Sequence, residues 1–243
     1  MRRELGDAYR RCDVDDEVRA VVVTGTPPAF CADADMSAGA ETFERQPEST
    51  FTAAPVQPPA WEVRKPVIAA VNGHAIGIGL TLALQCDIRL VAEDARYGVV
   101  QVRRGVIPDC CSHWTLPRLA GLATAADVLL TGRTFDGQEA QRLGLASRCL
   151  PAADVLPAAL DLARDIVANC APLSVAISKR LLWDALDRTP AEVERLETAL
   201  HHHVMGRADA REGVMAFVEK RAPAWQLRVG ADWPEWPDVE RKG

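Results

Sequence analysis

No apolar run in the 243 residues approaches the roughly 20 needed to span a bilayer, which argues against a membrane bundle. No cluster of Lys and Arg forms a basic tail, and the formal charge of -6 supplies no positive field for nucleic acid. An anionic ligand would have to be held by local cations or backbone amides. The seven cysteines, Cys12, Cys31, Cys86, Cys110, Cys111, Cys149 and Cys170, are odd in number and never spaced CxxC, so neither a disulfide framework nor a zinc knuckle is expected. Met1 to Arg11 lack the apolar stretch of an export signal, and the cytoplasm is the expected compartment. Internal repeats and low-complexity tracts are absent. What remains is 48% apolar and 26% charged, ordinary for a soluble globular chain and long enough for one large domain with an appendage.

Val18–Thr24 is a short run rich in β-branched residues and closed by Gly25, the pattern of a strand buried on both faces. Val67–Val71, after Pro66 and before Asn72-Gly73, predicts a second strand, and Ile88–Ala92 a third. Leu80–Cys86 with its flanks predicts a buried helix between them, so a parallel sheet with a right-handed crossover is the economical topology. Between Ala38 and Ala60 the chain is rich in Thr, Glu, Ser and Pro without periodicity and predicts a mobile surface loop near the strand ends.

From Asp109 onward the pattern turns helical. Asp136 and Glu139 have capping-box spacing, with Gly144 placed to close the helix. Val155–Val167 carries Leu156, Leu160, Ala163 and Val167 as a one-sided stripe. Thr189, Pro190 and Glu192 combine N-cap, N1 proline and N3 glutamate, and Asp209 with Glu212 repeats the capping box before Val214, Phe217 and Val218. The tail from Ala224, with Trp225, Trp233 and Trp236 among prolines, reads as an extended strap or a partly disordered end. His201–His203 fall within a helix, where consecutive residues point about 100° apart, so no shared metal is expected.

Two segments carry chemistry. Asn72–Gly79 (Asn-Gly-His-Ala-Ile-Gly-Ile-Gly) lies where a buried strand hands over to a helix; its glycines permit close backbone approach, and its amides can hold an anion or a developing oxyanion. A dinucleotide fingerprint fits poorly, because counting from Gly77 puts Leu82 at the last glycine position. Pro28–Met36 follows the first strand in the same sense. One amide from each segment can converge on a single carbonyl oxygen.

The strings VRAVVVTG, AFCADAD, KPVIAAVNGHAIGIG, CDIRLVAEDARYG, RRGVIPD, LPRLAG, LLTGRTFDGQEAQRLGLAS and REGVMAFVEKR, in this order, resemble the crotonase superfamily, the enoyl-CoA hydratase/isomerase family, from about Arg3 to about Pro223. The resemblance implies an α/β fold: a crotonase-like spiral of ββα units over residues 1–183 and a C-terminal helical trimerisation region and tail over 184–243. It implies a homotrimer or hexamer acting on acyl-CoA thioesters, with no cofactor beyond the coenzyme A of the substrate. Its oxyanion hole maps onto the amides of Ala34 and Ile78. Coenzyme A contacts map onto Ala32, Asp35, Phe217 and Lys220, the last two often across a subunit boundary, and the acyl pocket maps onto Gly77, Thr81, Gln101, Cys110 and His113. The chain also begins inside the helix that follows the family's first strand, with Leu5, Ala8 and Tyr9, so an edge strand and some nucleotide contacts are expected to be missing.

Departures from the family decide the expected chemistry. Thr81 and Gln101 stand where hydratases carry their two glutamates, and neither titrates near neutral pH, so paired-carboxylate hydration is not expected. Asp109 aligns with the acid of isomerase-like relatives and predicts a proton shuttle; as an aspartate before Cys110-Cys111-Ser112 it is equally suited to cap a helix. Asp33 replaces a glycine, tolerable because aspartate visits left-handed geometry. Cys110 and His113 suggest a nucleophilic pair, against which stands the usual behaviour of vicinal cysteines as buried small hydrophobes. Double-bond isomerisation is the leading expectation, with hydration or thioester hydrolysis by a non-standard base, or a catalytically silent acyl-CoA binder, as alternatives.

Overall fold

The structure, a computed structural model, describes residues 1–45, 47, 49 and 51–238. Helix α1 (Arg2–Val14) precedes β1 (Val21–Thr24) and β2 (Ala29–Cys31); then come β3 (Val67–Val71), β4 (His74–Ile76) and α2 (Ile78–Ala83), followed by β5 (Ile88–Ala92), β6 (Tyr97–Gly98) and α3 (Ser112–Thr131). Successive strands alternate between two parallel sheets, ordered β1-β3-β5-β7 and β2-β4-β6, with β7 spanning Arg148–Leu150. The passes β3-β4-α2 and β5-β6-α3 each lay one strand in each sheet and return through a helix, the repeating ββα unit, whereas β1-β2 returns through a long connection with, among the described residues, only 3-10 turns.

The β-branched runs at 67–71 and 88–92 form strands with the boundaries read from sequence, and α5 (Ala152–Asn169) covers the sheet they share. β1 differs from expectation. It is shorter than Val18–Thr24 and only half-buried, because it forms the sheet edge and pairs with β3 alone. Strands β2, β4, β6 and β7, two or three residues each, are too short to give a periodic signal. Helix α2 ends at Ala83 rather than running on to Cys86.

The segment from Ala38 to Ala60 is not uniformly loose. It opens with an exposed 3-10 turn at Gly39–Phe43, whereas Val56, Pro59 and Ala60 are buried. Gly6 of α1 lies so close that a Cβ there would sit 2.3 Å from the Gln57 carbonyl, and the Cys110 amide donates to the Ala53 carbonyl at 2.8 Å.

A polar centre apart from the candidate site lies in the interior around Asp87. The Asp87 carboxylate accepts from the Val67 amide at 2.7 Å, the Trp183 indole at 2.8 Å and Lys179 Nζ at 2.7 Å. Lys179, on α6 (Pro172–Ala185), also donates to the carbonyls of Ala60 and Lys65, so β3, the start of β5 and α6 are tied at one point. Trp61, Trp114 and Trp183 pack beside it with ring centroids 5.3–5.8 Å apart.

α4 (Gly137–Arg142) is capped by Asp136, which accepts from the Glu139 amide at 2.7 Å, but the Glu139 carboxylate turns to Arg133 instead of completing the box. α7 (Pro190–Val204) carries the full capping box of Thr189 and Glu192. α8 (Ala208–Glu219) corrects the sequence reading: its N-cap is Arg207. Buried Asp209 accepts from the amides of Gln226 and Leu227, and Glu212 from Ala224 and Arg221, so both acids fasten the tail rather than cap the helix. The tail is the expected strap, with Trp233 and Trp236 stacked together and Arg64 and Arg180 over their rings. On α5 the buried positions are Val155 and Ala159, while Leu160, Ala163 and Val167 line a half-open apolar groove with Ala20 and Val22. Val214, Phe217 and Val218 point outward from α8. Among the described residues no helix is long and apolar enough to cross a membrane.

Candidate active site

Because β2 and β4 are parallel neighbours with Cys31 opposite Ala75, the chain leaves both strands side by side. Gly79 locks the junction: a Cβ there would meet the Cys31 carbonyl at 2.2 Å, so α2 packs directly on β2. Gly77 turns the chain into α2 with φ of 55°, a left-handed angle that disfavours side chains. The Ala34 and Ile78 segments thus lie next to each other, as the sequence suggested.

Their state differs from expectation. Asp33, at φ of 88°, does adopt left-handed backbone, but its side chain does more than tolerate the turn. One carboxylate oxygen accepts from the Ile78 amide at 3.3 Å; the other pairs with Arg104, from the 3-10 turn Gln101–Arg104. The carboxyl group lies over Gly77, where a Cβ would fall 2.2 Å from it. The Asp33 side chain is buried, while Arg104 is 35% exposed. The Ile78 donor, expected to be free, is occupied by a residue of its own chain; the Ala34 amide donates to no backbone or side-chain group among the described residues.

Asp109 follows buried Pro108 and turns its carboxylate toward α2. It accepts from Thr81 Oγ1 at 2.8 Å and from Gln101 Nε2 at 3.2 Å. The capping alternative is settled by geometry: α3 begins at Ser112 with Cys111 at the N-cap, and only the Asp109 backbone carbonyl reaches the helix, accepting from the Ser112 amide at 2.9 Å. Burial holds the Asp109 carboxyl above the usual carboxylate range; the Thr81 hydrogen bond opposes this and the charge of Asp33 reinforces it. No ion pair neutralises Asp109 among the described residues. The Gln101 side-chain carbonyl is buried without a partner in the described structure.

Other expected site residues scatter. Cys110 is buried, and burial pushes its thiol up to about 12, far from the thiolate a nucleophile needs. His113 is exposed on α3, and no hydrogen bond joins the two. Ala32 is exposed. Asp35 is exposed and accepts from the Ser37 amide at 2.9 Å, which holds it below the usual carboxylate range. Phe217 is 85% exposed, and Lys220 ends α8 in left-handed geometry. The residue that sequence reasoning missed is Arg104; the second arginine of RRG was the available signal, but nothing in it pointed to Asp33.

The family model for enoyl-CoA hydratase/isomerase matches residues 1–228. "Probable enoyl-CoA hydratase echA8" of Mycobacterium leprae is 37% identical, over 94% of this chain and 88% of the relative. The carnitinyl-CoA dehydratase of Proteus mirabilis is 34% identical, over 93% and 88%. A crystal structure from Mycobacterium abscessus, described as "a probable enoyl-CoA hydratase/isomerase", superposes with a TM-score of 0.89 at 57% identity, covering 92% of this chain and 87% of that one.

Proposed function

Since the chain belongs to the enoyl-CoA hydratase/isomerase family, we propose that it moves a double bond within an enoyl-CoA thioester, with Asp109 carrying the proton. The observation behind this reading is that Thr81 and Gln101, at the positions of the hydratase glutamates, both donate to the one carboxylate of Asp109. Asp109 as carboxylate removes a proton from the substrate carbon, and the C–H electron pair moves onto the thioester oxygen as a dienolate. The amides of Ala34 and Ile78 then receive that oxygen, a class of interaction whose loss costs about 3–4 kcal/mol. Asp109, now the acid, returns the proton at the far end of the dienolate. The double bond has shifted, and the carboxylate is regenerated.

The raised position of Asp109 suits both halves of the cycle, because a carboxyl above its ordinary range is the stronger base and is still acidic enough to give the proton back. Hydration is the second reading, favoured by the hydratase and dehydratase names of the relatives. The outward apolar face of α8 supports subunit contact in a trimer or a pair of trimers, with Phe217 and Lys220 serving a neighbour's coenzyme A.

The test is hydrogen exchange in heavy water with a panel of enoyl-CoAs. Deuterium entering both the α and γ carbons, and lost in Asp109→Asn, supports the proposal. Water addition without γ exchange selects hydration. Thioester binding with no exchange at either carbon leaves only a silent binder.

A further inference from the structure

The Ile78 amide has an occupant in the free chain, and that occupant carries the charge the amide is meant to stabilise. The Asp33 carboxylate bridges the Ile78 amide and the Arg104 guanidinium. A carboxylate oxygen and an enolate oxygen are both anionic acceptors of one N–H. They compete for that donor, and two anions in contact repel. A thioester carbonyl, neutral and a weaker acceptor, enters only if the carboxylate leaves.

We propose that Asp33 and Arg104 form a latch over the oxyanion position, with Asp33 standing in for the thioester oxygen until substrate displaces it. This inference rests on the reading of Ala34 and Ile78 as the oxyanion donors. Three observations support it. Asp33 occupies left-handed backbone that glycine adopts without penalty, so its Cβ and carboxylate are held there against a local strain. Gly77 provides the seat, since any side chain at that position would collide with the carboxyl group. The Arg104 side chain is 35% exposed, so the guanidinium borders solvent into which it can swing, taking Asp33 with it. The closed fraction lowers apparent affinity for every thioester alike, because only the open fraction is competent to bind. The latch therefore sets a threshold that a substrate clears with contacts elsewhere in the cleft.

The test is equilibrium binding of acetoacetyl-CoA, whose enolate resembles the proposed intermediate, measured by calorimetry on the full chain. Asp33→Gly removes the competing anion and the strain together, and its affinity should rise roughly tenfold or more, the scale of one hydrogen bond to a charged group. Asp33→Asn keeps the shape but loses the charge and the Arg104 pair, so it should gain in the same direction by less; it also decides the matter if the glycine variant folds poorly. Arg104→Gln should give a smaller gain in the wild-type background and none in Asp33→Gly. Unchanged or weaker binding in both Asp33 variants would overturn the latch, and weaker binding would make Asp33 a thioester contact instead. If the Asp33 variants bind more tightly while Asp109→Asn still exchanges substrate protons, the latch stands and the Asp109 reading falls; the reverse pattern removes the latch and leaves the reaction.

Discussion

Asp87 and Asp109 are both carboxylates held inside the same fold, yet they are finished in opposite ways. Asp87 meets a cation and two further donors, Lys179, the Val67 amide and the Trp183 indole, and joins three elements. Among the described residues Asp109 meets two neutral side-chain donors, Thr81 and Gln101, with the negative Asp33 nearby and its carboxyl pushed upward by burial. A buried carboxylate met by a cation and two further donors holds structure together; one met by neutral donors alone is the better placed to exchange a proton.

The sharpest way to break the contrast is to remove the compensation at Asp87. Lys179→Met should lower stability in chemical denaturation by about 3–5 kcal/mol, because it strands a buried carboxylate and two carbonyls. Asp109→Asn should do the opposite kind of damage, reducing α-proton exchange about 10²–10⁴-fold with no loss of denaturation midpoint at neutral pH.

Asp109 also gives a pH dependence to test. Since burial raises Asp109 in the folded state, its contribution to stability is fully present below the unfolded pKa and is lost as pH rises through the folded one. Asp109→Asn should therefore match wild type at acid pH and be the more stable protein at neutral pH, checked by denaturation across that range. A difference of the other sign would mean that Asp109 is compensated after all. The acid limb of the wild-type rate profile should likewise lie above the ordinary carboxylate range. The smallest effect belongs to Thr81→Val, which takes away one hydrogen bond to the carboxylate and should move that limb upward by less than about one pH unit.

Much of this was legible from residues alone. The runs at Val67–Val71 and Ile88–Ala92 became strands with those boundaries, because continuous β-branched stretches suit a sheet covered on both faces. Thr189 and Glu192 capped their helix as their spacing required, since that interaction is local. The ordered motifs led to the family that the comparisons show, and Asp109, expected as a proton shuttle, lies within hydrogen-bond reach of Thr81 and Gln101. Less readable were the roles of Asp209 and Glu212, whose capping spacing is genuine while their actual partners, Gln226, Leu227, Ala224 and Arg221, belong to a returning tail. The half-open stripe on α5 and the outward face of α8 show the same limit: periodicity identifies an apolar face without saying what covers it.

By itself the sequence determined what acts over a few residues: the two inner strand runs, the Thr189–Glu192 cap and the glycine turns. Only the tertiary structure decided that Asp33 reaches the Ile78 amide and Arg104, 45 and 71 positions away. The physical reason is that a side chain's electrostatic partner is chosen by distance in space, and parallel strands bring together segments whose spacing in the chain carries no trace of the contact.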